Sequence, residues 1–407
     1  MVIKMQCCKL VAKHPYMKSG CRILISFILL FVAFSALAQN ESKHFKVAVF
    51  APLYVDSSFD GNVYKLGVGN LPKTSIAGLE FYNGVMMAID SLQAEGVTVE
   101  VLVYDTKNKE ESLQNIVSKD ELNDVALMIA SFNNRAEIKP LADFALLKKI
   151  PLISATFPND GGMTNNPYFV VLNSSLKTHC EELYKYMQRF YATGKITMFT
   201  RKGAVESYIQ SVFGDVSRST PAIPLKIKTV QLTDTFSNRN VLDFLDSTRK
   251  NIIICGTIND AFALRLTRTL SASYGYQSLI IGMPTWDALK DLDRSDCKGV
   301  EMVYSTPYNF SRTDKIGAAL VQKYKDKYAA RPGDMVFKGF EAMYHFTKLL
   351  LAHDTAMIDF VSDKNYKIFS DFDIRAVKNK STYTIDYREN RKLYFIKKAD
   401  GLIKSVY

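Results

Sequence analysis

The chain has 407 residues, 47% hydrophobic and 23% charged, which is typical of a globular protein long enough for more than one core. Its formal net charge of +11 is spread along the sequence without basic blocks, which argues against nucleic-acid binding. The six cysteines include no CxxC pair, so neither a disulfide scaffold nor a cysteine metal site is expected.

The first predicted element is a secretory leader at residues 1–38. Lys18 and Arg22 precede the apolar run 23–34 and the small-residue end "SALA", which predicts cleavage before Gln39. The run is shorter than the roughly 20 residues of a membrane span, although an uncleaved anchor and a start at Met17 stay open. Without the leader, 47 Lys and Arg against 41 carboxylates leave +6. We therefore expect a periplasmic protein with no stable membrane anchor after cleavage.

Strands and helices alternate through the next part of the chain. The predicted strands are 45–53, 97–105, 125–130 and 150–154, and the predicted helices are 78–96, 109–122 and 136–148. Near-continuous apolar strands joined by helices predict a parallel sheet that is covered on both faces.

The same pattern starts again after residues 167–175. The predicted helices are 179–194, 204–213, 241–250 and 260–275, and the predicted strands are 195–200, 225–232, 251–257 and 277–283. Period-two alternation over 381–398 predicts an antiparallel hairpin. We expect two lobes, an N-terminal one of residues 45–172 plus 303–355 and a C-terminal one of 173–302 plus 356–407.

Several motifs, taken in order, resemble one family. "AVFAPL" is followed by the helix "GLEFYNGVMMAID", with Gly84 and Ala88 inside it, and then by "EVLVYDTKN", "IPLISATFP" and "YSTPYNF". This series, over residues 45–400, is similar to the type I periplasmic binding proteins of the branched-chain amino acid binding family. The resemblance implies an α/β fold of two Rossmann-like lobes with parallel sheets and three crossings, which close on a ligand by hinge motion. It also implies a small polar ligand and a membrane permease of the ABC transporter class as partners.

Polar tips follow two neighbouring strands of the first set. In an open parallel sheet, ligands bind beyond the carboxyl ends of the strands, where helix N-termini offer N–H groups. The resemblance implies that these tips hold a ligand carboxylate through Ser131, Asn133, Ser154, Ala155 and Thr156. The alternative for each side chain is a helix cap or a turn.

The second set of strands is expected to supply the opposite wall of the cleft. The candidates for this wall and for the roof of the site are Tyr208, Thr257, Asn259, Asp260, Trp286 and Tyr54. Trp286 is the single tryptophan, and it either stacks on a ligand or packs in the core. The family's acidic partner for a ligand ammonium is replaced here by Met283, Pro284 and Thr285. Asp260 or Asp287 are possible substitutes, and peptides, cell-wall fragments or other polar metabolites stay open as ligands.

Catalytic motifs are missing from the sequence. "GVGNLP" lacks the third glycine of a dinucleotide fingerprint, there is no GxSxG or Walker loop, and the five histidines have no metal-ligand spacing. We therefore expect a non-enzyme without cofactor, metal or nucleic acid. The expected function is capture of a small polar ligand for an ABC-type transporter; the alternative is a cell-envelope sensory or peptidoglycan-fragment-binding module of the same fold.

Overall fold

The computed structural model describes residues 45–67, 70–399 and 402–406. In chain order, the strands are β1 (Phe45–Ala51), β2 (Phe59–Asp60), β3 (Val63–Tyr64), β4 (Val99–Asp105), β5 (Val125–Ala130), β6 (Leu152–Ser154), β7 (Phe169–Val171), β8 (Ile196–Thr200), β9 (Ile227–Gln231), β10 (Asn251–Cys255), β11 (Ser278–Ile281), β12 (Glu301–Thr306), β13 (Ile374–Lys378), β14 (Ile385–Asn390), β15 (Tyr394–Ala399) and β16 (Leu402–Ser405). The α-helices are α1 (Val55–Ser58), α2 (Lys73–Ala94), α3 (Leu113–Ile116), α4 (Ile138–Lys148), α5 (Leu176–Tyr191), α6 (Ala204–Ser219), α7 (Arg239–Leu242), α8 (Asp260–Ser271), α9 (Lys315–Tyr328) and α10 (Asp334–His353). The predicted leader lies outside the described residues.

Two seven-stranded sheets organise these elements. The first has the order β13-β14-β7-β6-β5-β1-β4, and the second has the order β16-β15-β12-β11-β10-β8-β9. The central strands of both sheets are parallel, as the near-continuous apolar runs predict. We call the first sheet with the helices on its faces the first lobe, and the second sheet with its helices the second lobe.

Strand β1 shows how the first lobe forms its two cores. Val47 and Val49 join the cluster beneath α2, α9 and α10, whereas Ala48 and Phe50 join the cluster beneath α4. Successive side chains of a strand point to opposite faces, so an unbroken apolar strand supplies both cores. The sheet is therefore covered on both sides, as predicted.

Helices α2 and α10 approach closely enough to require glycine. A Cβ at Gly84 would lie 2.1 Å from the carbonyl oxygen of Val336, and one at Gly339 would lie 2.1 Å from that of Phe81. Both contacts are with backbone, which cannot move away as a side chain can. The glycine inside the predicted helix thus marks a helix crossing.

Two predicted helices are wrong in length. Residues 109–122 form only α3 and a 3₁₀ turn, and residues 241–250 form only the end of α7. Asn108 Oδ1 accepts from the amides of Glu110 and Glu111 at 2.8 and 3.0 Å, and Asp246 Oδ1 accepts from Thr248 N at 2.9 Å. These side chains take up backbone donors locally and so compete with helix formation.

The C-terminal antiparallel strands are present, but the predicted pairing is wrong. β14 pairs with β13 and with β7 in the first sheet, whereas β15 pairs with β12 and β16 in the second sheet. Residues 391–393 therefore join the two lobes instead of turning a hairpin. Period-two alternation marks a strand without saying which strand is its neighbour.

The chain passes between the lobes three times, as the resemblance implies. The passages are residues 172–175, 307–314 and 391–393. Sheet membership differs from the expected lobe division in two places: β12 lies in the second sheet, and β13 and β14 lie in the first. Among the described residues, no helix has both the length and the apolar character needed to cross a membrane.

Candidate functional site

The polar tips of β5 and β6 meet at the edge of the first sheet. Ser131 Oγ lies 3.3 Å from Thr156 Oγ1, which in turn donates to the carbonyl oxygen of Phe132 at 3.2 Å. Both strand ends lie side by side because β5 and β6 are adjacent parallel strands. The fold thus brings these two predicted residues together, with part of their hydrogen-bonding capacity already used.

Ser154 and Ala155 are buried too deeply in the first lobe for their side chains to lie on a surface that contacts a ligand. Ser154 is fully buried, and its Oγ has no hydrogen-bond partner among the described residues. Ala155 is also buried, and its carbonyl oxygen accepts from the hydroxyl of Tyr308, which lies in the second passage between the lobes. In this arrangement both residues line the interior of the first lobe.

Tyr54 and Asn133 belong to a charged network that the sequence did not reveal. Tyr54 has a left-handed backbone with φ 56°, and its hydroxyl accepts from Asn133 Nδ2 at 2.9 Å. Asn133 N donates to Glu137 at 3.0 Å, and Glu137 forms an ion pair with Lys107. The lysine of this ion pair follows β4 and the glutamate follows β5. Opposite charges that each come shortly after a strand could have indicated this cluster from the sequence.

A cavity of about 650 Å³ lies beside these strand ends, between the two lobes. The first lobe contributes residues 158–160 and Tyr387, and the first passage contributes residues 173–175. The second lobe contributes the beginnings of α5 and α6, together with His179, Tyr208, Ile258, Pro284 and Thr285. Asn173 Nδ2 connects this cavity to the first-lobe tips by donating to the carbonyl oxygen of Thr156 at 2.6 Å.

Among the residues predicted for the second wall, Tyr208 lines the cavity. Its ring is 45% exposed, and burial of the remainder raises the pKa of its phenol. Ile258, between two predicted residues, also lines it. Sequence reasoning selected polar side chains here and so passed over the apolar part of the wall.

The other predicted residues of this wall have structural positions. Thr257 is buried and donates to Glu206 Oε1 at 2.6 Å. Asn259 caps α8 by accepting from Phe262 N at 2.9 Å, a role that was not predicted for it. Asp260 is the exposed first residue of that helix. Trp286 is fully buried in the second-lobe core, and its Nε1 has no partner among the described residues.

His179, which no sequence argument selected, is the most buried ionisable group at the cavity. It is 1% exposed, and burial lowers its pKa to about 3, so the imidazole is neutral near pH 7. Its Nδ1 lies 2.8 Å from Ser305 Oγ on β12. The contact joins residues 126 positions apart, which no local pattern reveals.

An ion cluster holds the beginning of α5 against the third passage. Glu389 is 1% exposed and accepts from Ser175 N at 2.7 Å and from Thr178 Oγ1 at 2.8 Å. Arg391 donates to Glu389 at 3.0 Å and pairs with Glu181 at 2.5 Å. Both carboxylates of this cluster thus pair with Arg391, and Glu389 holds the beginning of α5, which forms part of the cavity wall. Within the described ranges, no group of acidic, histidine and cysteine side chains has a metal-binding arrangement.

Comparison with known proteins gives the same fold. An ABC transporter substrate-binding protein from Desulfitobacterium hafniense, in complex with Leu, is 13% identical with a TM-score of 0.56, over 89% of this chain and 100% of that one. A branched-chain amino acid ABC transporter periplasmic ligand-binding protein from Burkholderia xenovorans is 11% identical with a TM-score of 0.57, over 89% and 95%. A leucine-binding protein from Thermotoga maritima is 12% identical with a TM-score of 0.51, over 89% and 98%.

At such low sequence identities the structural likeness shows the fold alone, and the family assignment rests on the sequence. No curated protein sequence matches the chain. The sequence model of the periplasmic binding proteins matches residues 73–358, more than half of the chain and parts of both lobes. This chain therefore belongs to the periplasmic binding protein family.

Proposed function

We propose that the protein is an exported solute-binding protein that captures a small polar ligand between its lobes and delivers it to an ABC-type transporter. The observation that carries this proposal is the cavity of about 650 Å³ between the lobes, a size typical of small-molecule sites. Three passages between the lobes permit a hinge motion that closes such a site. The names of the similar structures, which are transporter-associated binding proteins, support the same assignment.

The proposed site combines the first-lobe tips at Ser131 and Thr156 with the second-lobe wall at Tyr208. Export rests on the predicted leader and on the family. We also propose binding without turnover, because the two buried carboxylates near the cavity have structural partners: Glu206 accepts from Thr257, and Glu389 accepts from the beginning of α5.

The test is a thermal-shift screen of the protein purified from the periplasm of expressing cells. The panel contains amino acids, short peptides, muropeptides, nucleosides and sugars. A ligand at 100 times its dissociation constant stabilises the folded state by about 2.7 kcal/mol, which is a measurable shift. We expect a shift within one chemical class, accompanied by a smaller radius of gyration in solution scattering as the lobes close.

A pair of tyrosine variants locates the binding. Tyr208→Ala removes a ring from the cavity, whereas Tyr274→Ala removes a ring that is 98% exposed elsewhere. We expect Tyr208→Ala to abolish the shift and Tyr274→Ala to preserve it. If the folded protein binds no small molecule of the panel but captures a glycan or a protein, the sensory or peptidoglycan-fragment module replaces transport as the function.

A further inference from the structure

His179 presents one ring nitrogen to the cavity. The residue is 1% exposed yet lines the cavity, and its Nδ1 lies 2.8 Å from Ser305 Oγ. Its Nε2 has no hydrogen-bond partner among the residues that the structure describes. His345, the other well-buried histidine, lies in α10 away from this cavity. A buried side chain with one satisfied and one open nitrogen is thus part of the second-lobe wall.

The surroundings of Ser305 determine which nitrogen of His179 carries the proton. Ser305 is fully buried, and His179 Nδ1 is the hydrogen-bond partner of its hydroxyl in the described part of the chain. A buried hydroxyl proton without an acceptor is unfavourable, so Ser305 Oγ donates and Nδ1 accepts. The proton of the neutral imidazole then lies on Nε2. His179 therefore offers an uncharged N–H donor to the cavity.

Four backbone N–H groups lie on the same wall. They belong to Leu176 and Lys177 in the first turn of α5, and to Ala204 and Val205 in the first turn of α6. The first N–H groups of a helix have no acceptor within the helix. The cap of α5, Ser175, accepts from Thr178 N at 3.4 Å and so satisfies a different N–H group. The four N–H groups named above have no hydrogen-bond partner among the described residues.

Acceptors at the cavity are mostly neutral, such as Thr285 Oγ1, which has no partner within the described residues, and the carboxylate there is already engaged. Asp160 is the single carboxylate among the lining residues, and its Oδ1 accepts from Gly162 N at 2.7 Å. Burial, followed by the nearby charges of Glu389 and Asp160, raises the pKa of the Tyr387 phenol. Lys177 is the single lining residue with a full positive charge. A ligand ammonium thus finds no free carboxylate, whereas a ligand carboxylate finds several donors.

We propose that this cavity selects a monocarboxylic acid with an apolar or aromatic body and no ammonium group, and that His179 Nε2 donates to its carboxylate. This ligand class rests on the proposed solute-binding function. Leu176, Ile258 and the rings of Tyr208 and Tyr387 supply apolar surface for the body. One lysine without an arginine, together with neutral donors, suits a monoanion better than a phosphate dianion.

Two series of probes, each with a common body, test the ligand class. The first is 3-phenylpropanoate, phenylalanine and 2-phenylethylamine, and the second is 4-methylpentanoate, leucine and 3-methylbutylamine. Calorimetric titration of the protein purified from the periplasm measures each dissociation constant. We expect the acid of at least one series to bind about 10-fold or more tightly than its amino acid, since the amino acid must bury an ammonium group without a carboxylate partner, and the amines not to bind.

Two results overturn the ligand class without deciding the function. If the amino acid or the amine binds as tightly as the acid, the cavity binds solutes but not by the proposed rule. If none of the six probes binds, the ligand class is wrong, and the broad screen described above decides separately whether the protein binds small solutes at all.

Two substitutions separate the nitrogens of His179. His179→Asn keeps a polar atom near Nδ1 and removes the group at Nε2, whereas His179→Gln keeps a donor near Nε2. We expect His179→Asn to weaken acid binding roughly 10- to 100-fold and His179→Gln to restore most of the loss. His345→Gln, at the buried histidine away from the cavity, is the matched control and is expected to bind as the parent does. Equal losses in both His179 variants, or no loss in either, overturn the role of Nε2.

The tautomer is measurable without a ligand. In protein labelled with ¹⁵N-histidine, long-range proton–nitrogen correlation distinguishes Nε2–H from Nδ1–H, and the His179 signals are those missing in His179→Gln. We expect the Nε2–H tautomer at pH 7. The Nδ1–H tautomer overturns the donor assignment whatever the binding results.

Discussion

The strand ends of the first lobe and the helix starts of the second lobe use their polar groups differently. In the first lobe, Ser131 bonds to Thr156 and Asn133 bonds to Tyr54 and Glu137, so these groups hold one another. In the second lobe, His179 Nε2 and four backbone N–H groups belong to residues that line the cavity, and they have no hydrogen-bond partners among the described residues. Residue type shows that a group is polar; its partners decide whether it is available to a ligand.

Trp286 gives the largest expected effect, because the sequence left open whether it stacks on a ligand or packs in the core, and it lies in the core. Trp286→Ala should lower the free energy of unfolding by about 3–5 kcal/mol through loss of buried contacts and a residual cavity. Chemical denaturation measures the change. Tyr274→Ala, at a side chain that is 98% exposed, should stay within about 0.5 kcal/mol. Unchanged stability with loss of ligand binding would instead place the indole at the ligand.

The ion cluster at the third passage tests what positions the second-lobe wall. Arg391→Met should lower the free energy of unfolding by about 3 kcal/mol, because Glu389 is left buried without its cation. Arg375→Met, which breaks a pair whose arginine side chain is 69% exposed, should cost less than about 1 kcal/mol. Similar losses in the two variants would contradict a special role for the cluster.

The pH dependence of stability isolates His179. Its folded pKa, about 3, lies below the ordinary value of 6.5, so below pH 6.5 the unfolded chain binds a proton that the folded protein does not. The contribution of the neutral imidazole to the free energy of unfolding is present above pH 6.5. It decreases as the pH falls, by roughly 2 kcal/mol between pH 6.5 and 5. Urea titrations at a series of pH values should show a steeper decline for the parent than for His179→Gln. Parallel curves would contradict the buried neutral imidazole.

The smallest expected changes in stability concern two hydroxyl groups of the first lobe, those of Thr156 and Ser154. Thr156→Val should lower stability by about 1 kcal/mol, since Thr156 Oγ1 bonds to Ser131 and Phe132. Ser154→Ala should change stability by less than that, because Ser154 Oγ has no partner among the described residues. In the proposed site, Thr156→Ala should weaken ligand binding by roughly 1–3 kcal/mol, whereas Ser154→Ala, at a side chain buried inside the first lobe, should leave the affinity unchanged. Unchanged affinity in Thr156→Ala would remove Thr156 from the site.

The two walls were also predictable to different degrees. The tips at Ser131 and Thr156 follow apolar strands of adjacent helix–strand units, and adjacent parallel strands bring their ends together. His179 lies inside an amphipathic helix, where the sequence offers no reason to select it. Its role depends on Ser305, on a strand that follows 126 positions later. Asn259 was predicted only as a ligand contact, although its role as a helix cap is a local interaction that its position directly before α8 could have indicated.

The sequence by itself determined the class of fold, the order of most strands and helices and the presence of two lobes, because apolar periodicity and helix capping act between near neighbours. The tertiary structure decided that β14 and β15 lie in different sheets, that Trp286 is a core residue and that His179 has one open nitrogen. Each of these outcomes depends on contacts between residues far apart in the chain. Such contacts are set by how whole elements pack, which local patterns do not specify.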